Sequence, residues 1–178
     1  NRVTDQMNHF GKGGGMSNLV VLNVSAIKGS YKDQLTIYFN ENMKTGEEHG
    51  AVKLMGLADA PQLSSVRGGK NYSIDVYGPI TDQETVVPIS FKTSVSGNYT
   101  FNPEVQDMSP NMEAWLEDTK IDKWHKLSSG PYNFNYQISE TAVARFKLHY
   151  KSATNGLRKK SNNIFPMLAE ERKPTDRP

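Results

Sequence analysis

Two adjacent carboxylates, Glu117 and Asp118, stand between two tryptophans in the stretch AWLEDTKIDKWHKL, residues 114 to 127. Acids in such a setting can form a catalytic pair, ligate a cation or hold a turn. A glycosidase pair needs two carboxyl groups facing each other across a cleft, at least about 5 Å apart. Neighbours on a strand point to opposite faces, so these two cannot be that pair by themselves. Asp118-Thr119 fits the start of a turn, with the Asp side chain bonding a backbone amide. Both carboxylates are expected to be structural.

The other candidates for chemistry read the same way. The run GKGGG at 11–15 is not followed by the Gly-Lys-Ser/Thr of a phosphate loop, and a flexible entry loop is expected there. None of His9, His49, His125 and His149 is paired with another at metal-ligand spacing. Glu47-Glu48-His49-Gly50 offers two carboxylates beside an imidazole, yet its polar context is that of a solvated turn. His149 alternates with Lys147 and Arg145, which places it toward solvent or a neighbouring strand. No Gly-x-Ser-x-Gly occurs, and there is no cysteine to act as nucleophile, zinc thiolate or disulfide. We expect no enzyme, no metal and no cofactor. Aromatics remain. Trp115, Trp124, Tyr132, Phe134 and Tyr136 lie close in sequence and could stack on sugars, but Tyr132, Phe134 and Tyr136 alternate with polar residues as core positions do. Trp115 and Trp124 are the stacking candidates if the chain is a carbohydrate-binding module attached to an exported hydrolase.

The elements that must position these residues show a period of two. Leu35, Ile37 and Phe39 share one face; so do Tyr72, Ile74 and Val76, and so do Ala142, Ala144, Phe146, Leu148 and Tyr150. Similar runs lie near 19–25, 51–56, 85–91, 98–102, 112–117 and 132–138, separated by turn residues such as RGGK at 67–70 and SSGP at 128–131. Short strands at that spacing predict an all-β fold, an antiparallel, jelly-roll-like β-sandwich. Alternation stops after Tyr150. We therefore expect a sandwich module over 1–150 and an extended basic tail over 151–178, with a short helix begun at Pro166.

Charge is uneven. The tail holds seven basic and three acidic residues, a net of +4, while the body carries −2, which argues against nucleic acid as a partner. Within the tail Ile164, Phe165, Met167 and Leu168 form an apolar cluster between charged stretches, a candidate docking segment for a partner groove. The longest apolar run, LVVL at 19–22, is too short to span a membrane as a helix. The chain opens NRVTDQ without Met or an apolar leader, as expected of a piece processed from a longer product.

Three later segments, WLEDTK (115–120), LSSGPYNF (127–134) and RFKLHY (145–150), resemble an ordered pattern in proteins exported by the type IX secretion system of Bacteroidota. There a β-sandwich module ends in a Leu-Glu-Asp segment, a Leu-x-x-Gly-x-Tyr-x-Phe segment and an Arg-Phe-x-Leu-His-aromatic strand. Upstream runs, among them YKDQLTIYFNENMKTG, AVKLMGLADAPQLSS and ETVVPISF, sit in the same order. The resemblance covers residues 1 to about 150. It implies a noncatalytic module of an adhesin-like protein, outside the cell or on the outer-membrane surface, whose partners are other surface or secretion-system proteins, or glycans. The family's Asp-Glu at the second strand is replaced by Lys32-Asp33-Gln34, and the tail does not resemble the sorting domain that usually follows.

Overall fold

The computed structural model describes residues 15–27, 29–44, 46–80, 84–139 and 145–153. The expected tail segment, including Ile164, Phe165, Met167 and Leu168 and the helix at Pro166, lies outside these residues. Eleven strands follow in chain order: β1 Met16–Ala26, β2 Lys32–Asn40, β3 Glu48–Val52, β4 Gln62–Arg67, β5 Lys70–Tyr77, β6 Glu84–Lys92, β7 Gly97–Gln106, β8 Met112–Asp118, β9 Lys123–Lys126, β10 Tyr132–Tyr136 and β11 Phe146–Ser152. The described residues contain no α-helix, only a single 3-10 turn at Leu127–Ser129. No helix among them is long and apolar enough to cross a membrane.

The all-β expectation is met. The strands hydrogen-bond in one sheet of order β10-β7-β1-β2-β5-β4-β6-β11-β8-β9, nearly closed into a barrel, with β3 added on β5. The sheet is mixed: β2 and β5 pair in parallel, Thr36 with Ile74 through Phe39 with Tyr77, and all other pairs are antiparallel. Prolines mark where ladders stop. Pro88 in β6 lies one residue beyond the last pair with β4, Ser65–Ile89, and Pro103 in β7 lies two beyond the last pair with β10, Phe101–Tyr132. A missing N–H is tolerated where one neighbouring ladder has ended.

Alternation builds the core. Val20, Leu22 and Val24 of β1, Leu35, Ile37 and Phe39 of β2, Val87, Ile89 and Phe91 of β6, and Phe146, Leu148 and Tyr150 of β11 all point inward and are buried. Each such side chain contributes about 1.5–3 kcal/mol relative to exposure. At one end Phe91, Phe101, Phe134 and Phe146 interlock, with Phe134 centred 4.6 Å from Phe101, 4.9 Å from Phe146 and 5.1 Å from Phe91. At the other, Phe39 meets Tyr77 at 5.5 Å and Tyr150 at 4.8 Å.

One expectation needs correction and two are refined. In β5 Val76 of the apolar set Tyr72, Ile74 and Val76 is buried, but the opposite face packs inward too: Asp75 is fully buried and Tyr77 packs on Phe39. Apolarity alone favours Ile74 and Val76, but Asp75 has Arg67, Ser65 and Tyr77 to receive it. The run at 51–56 is a strand only to Val52, because Leu54, Met55 and Leu57 have no core to face and stand in solvent. Lastly, of the two placements expected for His149, solvent or a neighbouring strand, it takes the second, buried between carboxylates of the two flanking strands.

Candidate functional site

Three groupings of polar or exposed residues were candidates for function. The first is built on Asp118, at the end of β8, fully buried. Arg145, just ahead of β11, clasps it from two nitrogens: Nε donates to Oδ1 at 2.8 Å and Nη2 to Oδ2 at 2.7 Å. The Tyr132 hydroxyl of β10 donates to Oδ2 at 2.9 Å, and the Lys120 amide to Oδ1 at 3.2 Å. That last bond is the expected Asp turn. Arg145 also donates from Nη1 to the Asn135 carbonyl of β10 at 2.7 Å. The network thus ties β8 and β11 to β10 across the seam where the sheet path ends. Burial first, then the bond to Asp118, pushes the Tyr132 hydroxyl well above its ordinary pKa, so it stays a donor. Each Asp118 oxygen accepts two bonds, so the carboxylate is committed to holding the seam. Asp118, Tyr132 and Arg145 come one from each of the segments WLEDTK, LSSGPYNF and RFKLHY.

The second grouping covers the outer face of β6, β11, β8 and β9. His149 sets Nδ1 2.8 Å from Glu84 Oε1 and Nε2 2.9 Å from Glu117 Oε2. Both ring nitrogens are thus engaged with carboxylates, and neither is left to bind a metal. Trp115 and Trp124, named as stacking candidates, share this face: the Lys151 ammonium lies 4.7 Å from one ring and 4.5 Å from the other. Trp124 also packs on His149 at 4.5 Å, and Trp115 Nε1 donates to Glu113 at 2.9 Å. Trp124 remains 41% exposed, so part of its ring is open to a ligand.

Two carboxyls on this face titrate low. Burial raises Glu117, but hydrogen bonds from His149 and Lys147 outweigh it; hydrogen bonds from Lys126 and Trp115 lower Glu113. The resulting stabilisation is present above the unfolded-chain pKa and is lost as pH falls through the lower folded values. We expect the melting temperature to fall as pH drops below the ordinary glutamate value near 4.5, with Glu117→Gln flattening that decline. The size is on the order of 1 kcal/mol because the face is partly solvated. Thermal melts from pH 6 to 3 measure it, and equal slopes for the two proteins would count against the assignment.

A third polar group sits inside, at the Phe39 end. Asp75 accepts from Ser65 Oγ at 2.5 Å and from the Tyr77 hydroxyl at 3.0 Å, and Arg67 Nη2 lies 2.8 Å from its other oxygen. Arg67 continues to Glu48 at 2.6 Å and lies over Tyr72 at 4.5 Å. Burial alone would lower Arg67, but the Glu48 bond and the Asp75 and Glu48 charges carry its pKa upward. Beside them, Tyr150 is fully buried and its hydroxyl has no hydrogen-bond partner among the described residues. An unsatisfied buried hydroxyl costs about 1–3 kcal/mol. Tyr150→Phe is therefore expected to raise stability, by about 1 kcal/mol in a denaturant melt. A loss of that size would mean the hydroxyl is bonded in solution.

Glu47, Glu48 and His49 do not converge on a cation. Glu48 serves Arg67, Glu47 Oε2 accepts the Lys44 amide at 3.2 Å, and His49 lies on the exposed β3. Among the described residues no group of three His, Asp or Glu side chains is placed to hold a metal ion.

What sequence reasoning missed is the surface beside those residues. Among the described residues β3 pairs only with β5, and all five of its residues are exposed. It lies so close to β5 that a Cβ on Gly50 would come 2.5 Å from the Ile74 carbonyl oxygen. The chain then displays Val52, Leu54, Met55 and Leu57, exposed by 56, 87, 55 and 62%. Gln62 holds this loop in shape: its Oε1 accepts the Gly56 amide at 3.0 Å and its Nε2 donates to the Leu57 carbonyl at 3.0 Å. A run of four apolar side chains within six residues was the available signal, and it reads equally as a strand. The fold and these sites together define an all-β module with an exposed strand and an exposed apolar loop. No protein-family model, curated protein or solved structure matches the chain.

Proposed function

We propose that the chain is a noncatalytic module of an exported or cell-surface protein, serving adhesion or surface assembly through other surface or secretion-system proteins. The observation that carries this reading is the apolar loop Leu54–Leu57, held open to solvent beside a strand edge that is unpaired among the described residues. Exposed apolar clusters of this kind mark interaction sites, and a free edge offers backbone groups to an incoming strand. The groups that resemble catalysts favour the same reading. Asp118 and His149 have their bonding capacity taken up within the fold, so neither offers a free acid or base. The setting outside the cell rests on the resemblance to type IX exported modules.

Co-sedimentation of the purified chain with envelope fractions of the organism that makes it tests the proposal. Binding that Leu54→Asp with Met55→Asp abolishes, at an unchanged melting temperature, is the expected result. Binding untouched by those changes would overturn it. The glycan reading has its own support in Trp115 and Trp124 sharing one face. A sugar there would have to displace Lys151 from between the rings. Glycan binding lost in Trp124→Ala and kept in Leu54→Asp would favour it.

A further inference from the structure

Exposed apolar side chains are not spread evenly over the barrel. Ile27 follows β1, Leu57 lies between β3 and β4, Val95 between β6 and β7, and Ile138 after β10. They are 58, 62, 45 and 58% exposed. These connections lie at the end of the barrel where Ala26 pairs with Tyr99 and Gly97 with Tyr136. Hydrogen bonds to the segment 93–98 hold them together there. The Ile27 amide donates to the Asn98 carbonyl at 2.9 Å, and the Ile138 amide to Ser96 Oγ at 2.9 Å. Next to Leu57, the Ala58 carbonyl accepts the Ser94 amide at 2.7 Å and the Asp59 carbonyl accepts the Thr93 hydroxyl at 3.1 Å. The Tyr99 hydroxyl donates to the Val95 carbonyl at 2.8 Å. Four aliphatic tips from four separate loops thus stand on one ordered rim.

Charge follows the same division. Among the described residues, the exposed charges at this end are Lys32, Lys92, Lys120 and Lys123 against Asp59 and Asp122. Asp33 and Asp118 also lie here, but Lys53 and Arg145 pair with them inside the fold. At the opposite end the connections 41–47 and 107–111 carry Glu41, Glu47 and Asp107 against Lys44. No large apolar side chain there is exposed among the described residues. The molecule is polarised along the barrel, basic and apolar at one end, acidic and polar at the other.

An exposed apolar patch of this kind marks a contact with protein or with membrane. The excess of lysine favours the second, because anionic headgroups attract basic side chains held near them. Separate tips also suit a fluid partner, which closes around each one, better than a rigid groove. Tyr31, 45% exposed beside Lys32, adds an amphipathic ring of the type that settles at headgroup level. We propose that this end of the barrel docks on an anionic lipid bilayer, with Ile27, Leu57, Val95 and Ile138 in the acyl boundary and the lysines among the headgroups. The contact is peripheral and needs no spanning element. It goes beyond the protein contact assigned to Leu54 and Met55 and does not depend on it.

Sedimentation of the full chain with protein-free vesicles tests the proposal, using phosphatidylcholine mixed with phosphatidylglycerol and phosphatidylcholine alone. Binding is expected on the anionic vesicles, weaker in high salt and much weaker on the neutral ones. Val95→Asp with Ile138→Asp should weaken anionic binding about tenfold or more. Lys32→Glu with Lys92→Glu should weaken it about tenfold as well. All four residues are exposed, so unchanged melting temperatures are expected. The basic tail is the same in every protein compared, so a difference reports on the loops. Absence of binding, equal binding to both kinds of vesicle, or binding that either pair of changes leaves intact overturns the proposal. So does binding to envelope fractions that protease treatment of those fractions abolishes while vesicles bind nothing, since the partner is then a protein. The envelope contact of Leu54 and Met55 is read with its own variant, so the two questions can fail separately.

Discussion

Replacing Arg145 by methionine is expected to cost about 3–5 kcal/mol of folding stability, the largest loss at any charged position. Methionine keeps much of the packing volume over Phe134 and Phe146, on which the guanidinium lies at 5.3 and 4.8 Å. What it removes is the only cation bonded to Asp118 among the described residues, leaving a fully buried carboxylate with the Tyr132 hydroxyl and one amide. The Asn135 carbonyl loses its donor as well. Arg145→Lys should fall between, because an ammonium keeps the charge but not the paired geometry of the guanidinium. Urea denaturation measures both. A cost under about 1 kcal/mol for Arg145→Met would show that the seam does not depend on the pair.

Phe134→Ala should be nearly as damaging, about 3–5 kcal/mol, through the cavity it opens. Phe134 belongs to β10, which among the described residues pairs only with β7, so most of what holds that strand inward is side-chain packing. Its ring contacts Phe91, Tyr99, Phe101 and Phe146, joining β10 to β6, β7 and β11. Removing it should therefore also expose β10 selectively. Hydrogen exchange of the β10 amides is expected to accelerate more than exchange in β1 or β2. Uniform acceleration would mean that β10 opens only when the whole sheet does. Because Arg145 lies against Phe134, the two substitutions should not add.

Much of this architecture is legible along the chain. In β8, Leu116 and Asp118 turn inward and Trp115 and Glu117 outward, as strand alternation requires. The same rule finds Phe146, Leu148 and Tyr150 of β11. It fails where polarity and direction disagree. β4, Gln62–Arg67, escapes because Ser64 and Ser65 look like turn residues, yet both are buried. β9 is four residues long and shows too little alternation to detect. His149 is buried because of partners distant in sequence: Glu84 stands 65 positions and Glu117 32 positions from it. Local pattern contains no record of such pairs.

The segments WLEDTK, LSSGPYNF and RFKLHY illustrate both sides. Read singly they yield a turn, a half-buried strand and another strand. Together they supply Asp118, Tyr132 and Arg145 to one network and Glu117 and His149 to another. Their spacing is a requirement of closing the sheet, so a resemblance built on them speaks first to fold. The candidate recognition edge lies elsewhere, on β3 and the loop after it, where exposure and order only become visible in three dimensions.

A double-mutant cycle on Asp118→Asn and Arg145→Met, read by urea denaturation of both single variants and the pair, tests most directly whether these charges hold the seam. The account predicts that the double variant recovers roughly 2 kcal/mol or more relative to the sum of the single losses, because no buried charge is then left unpaired. Losses that add to within about 0.5 kcal/mol would contradict it.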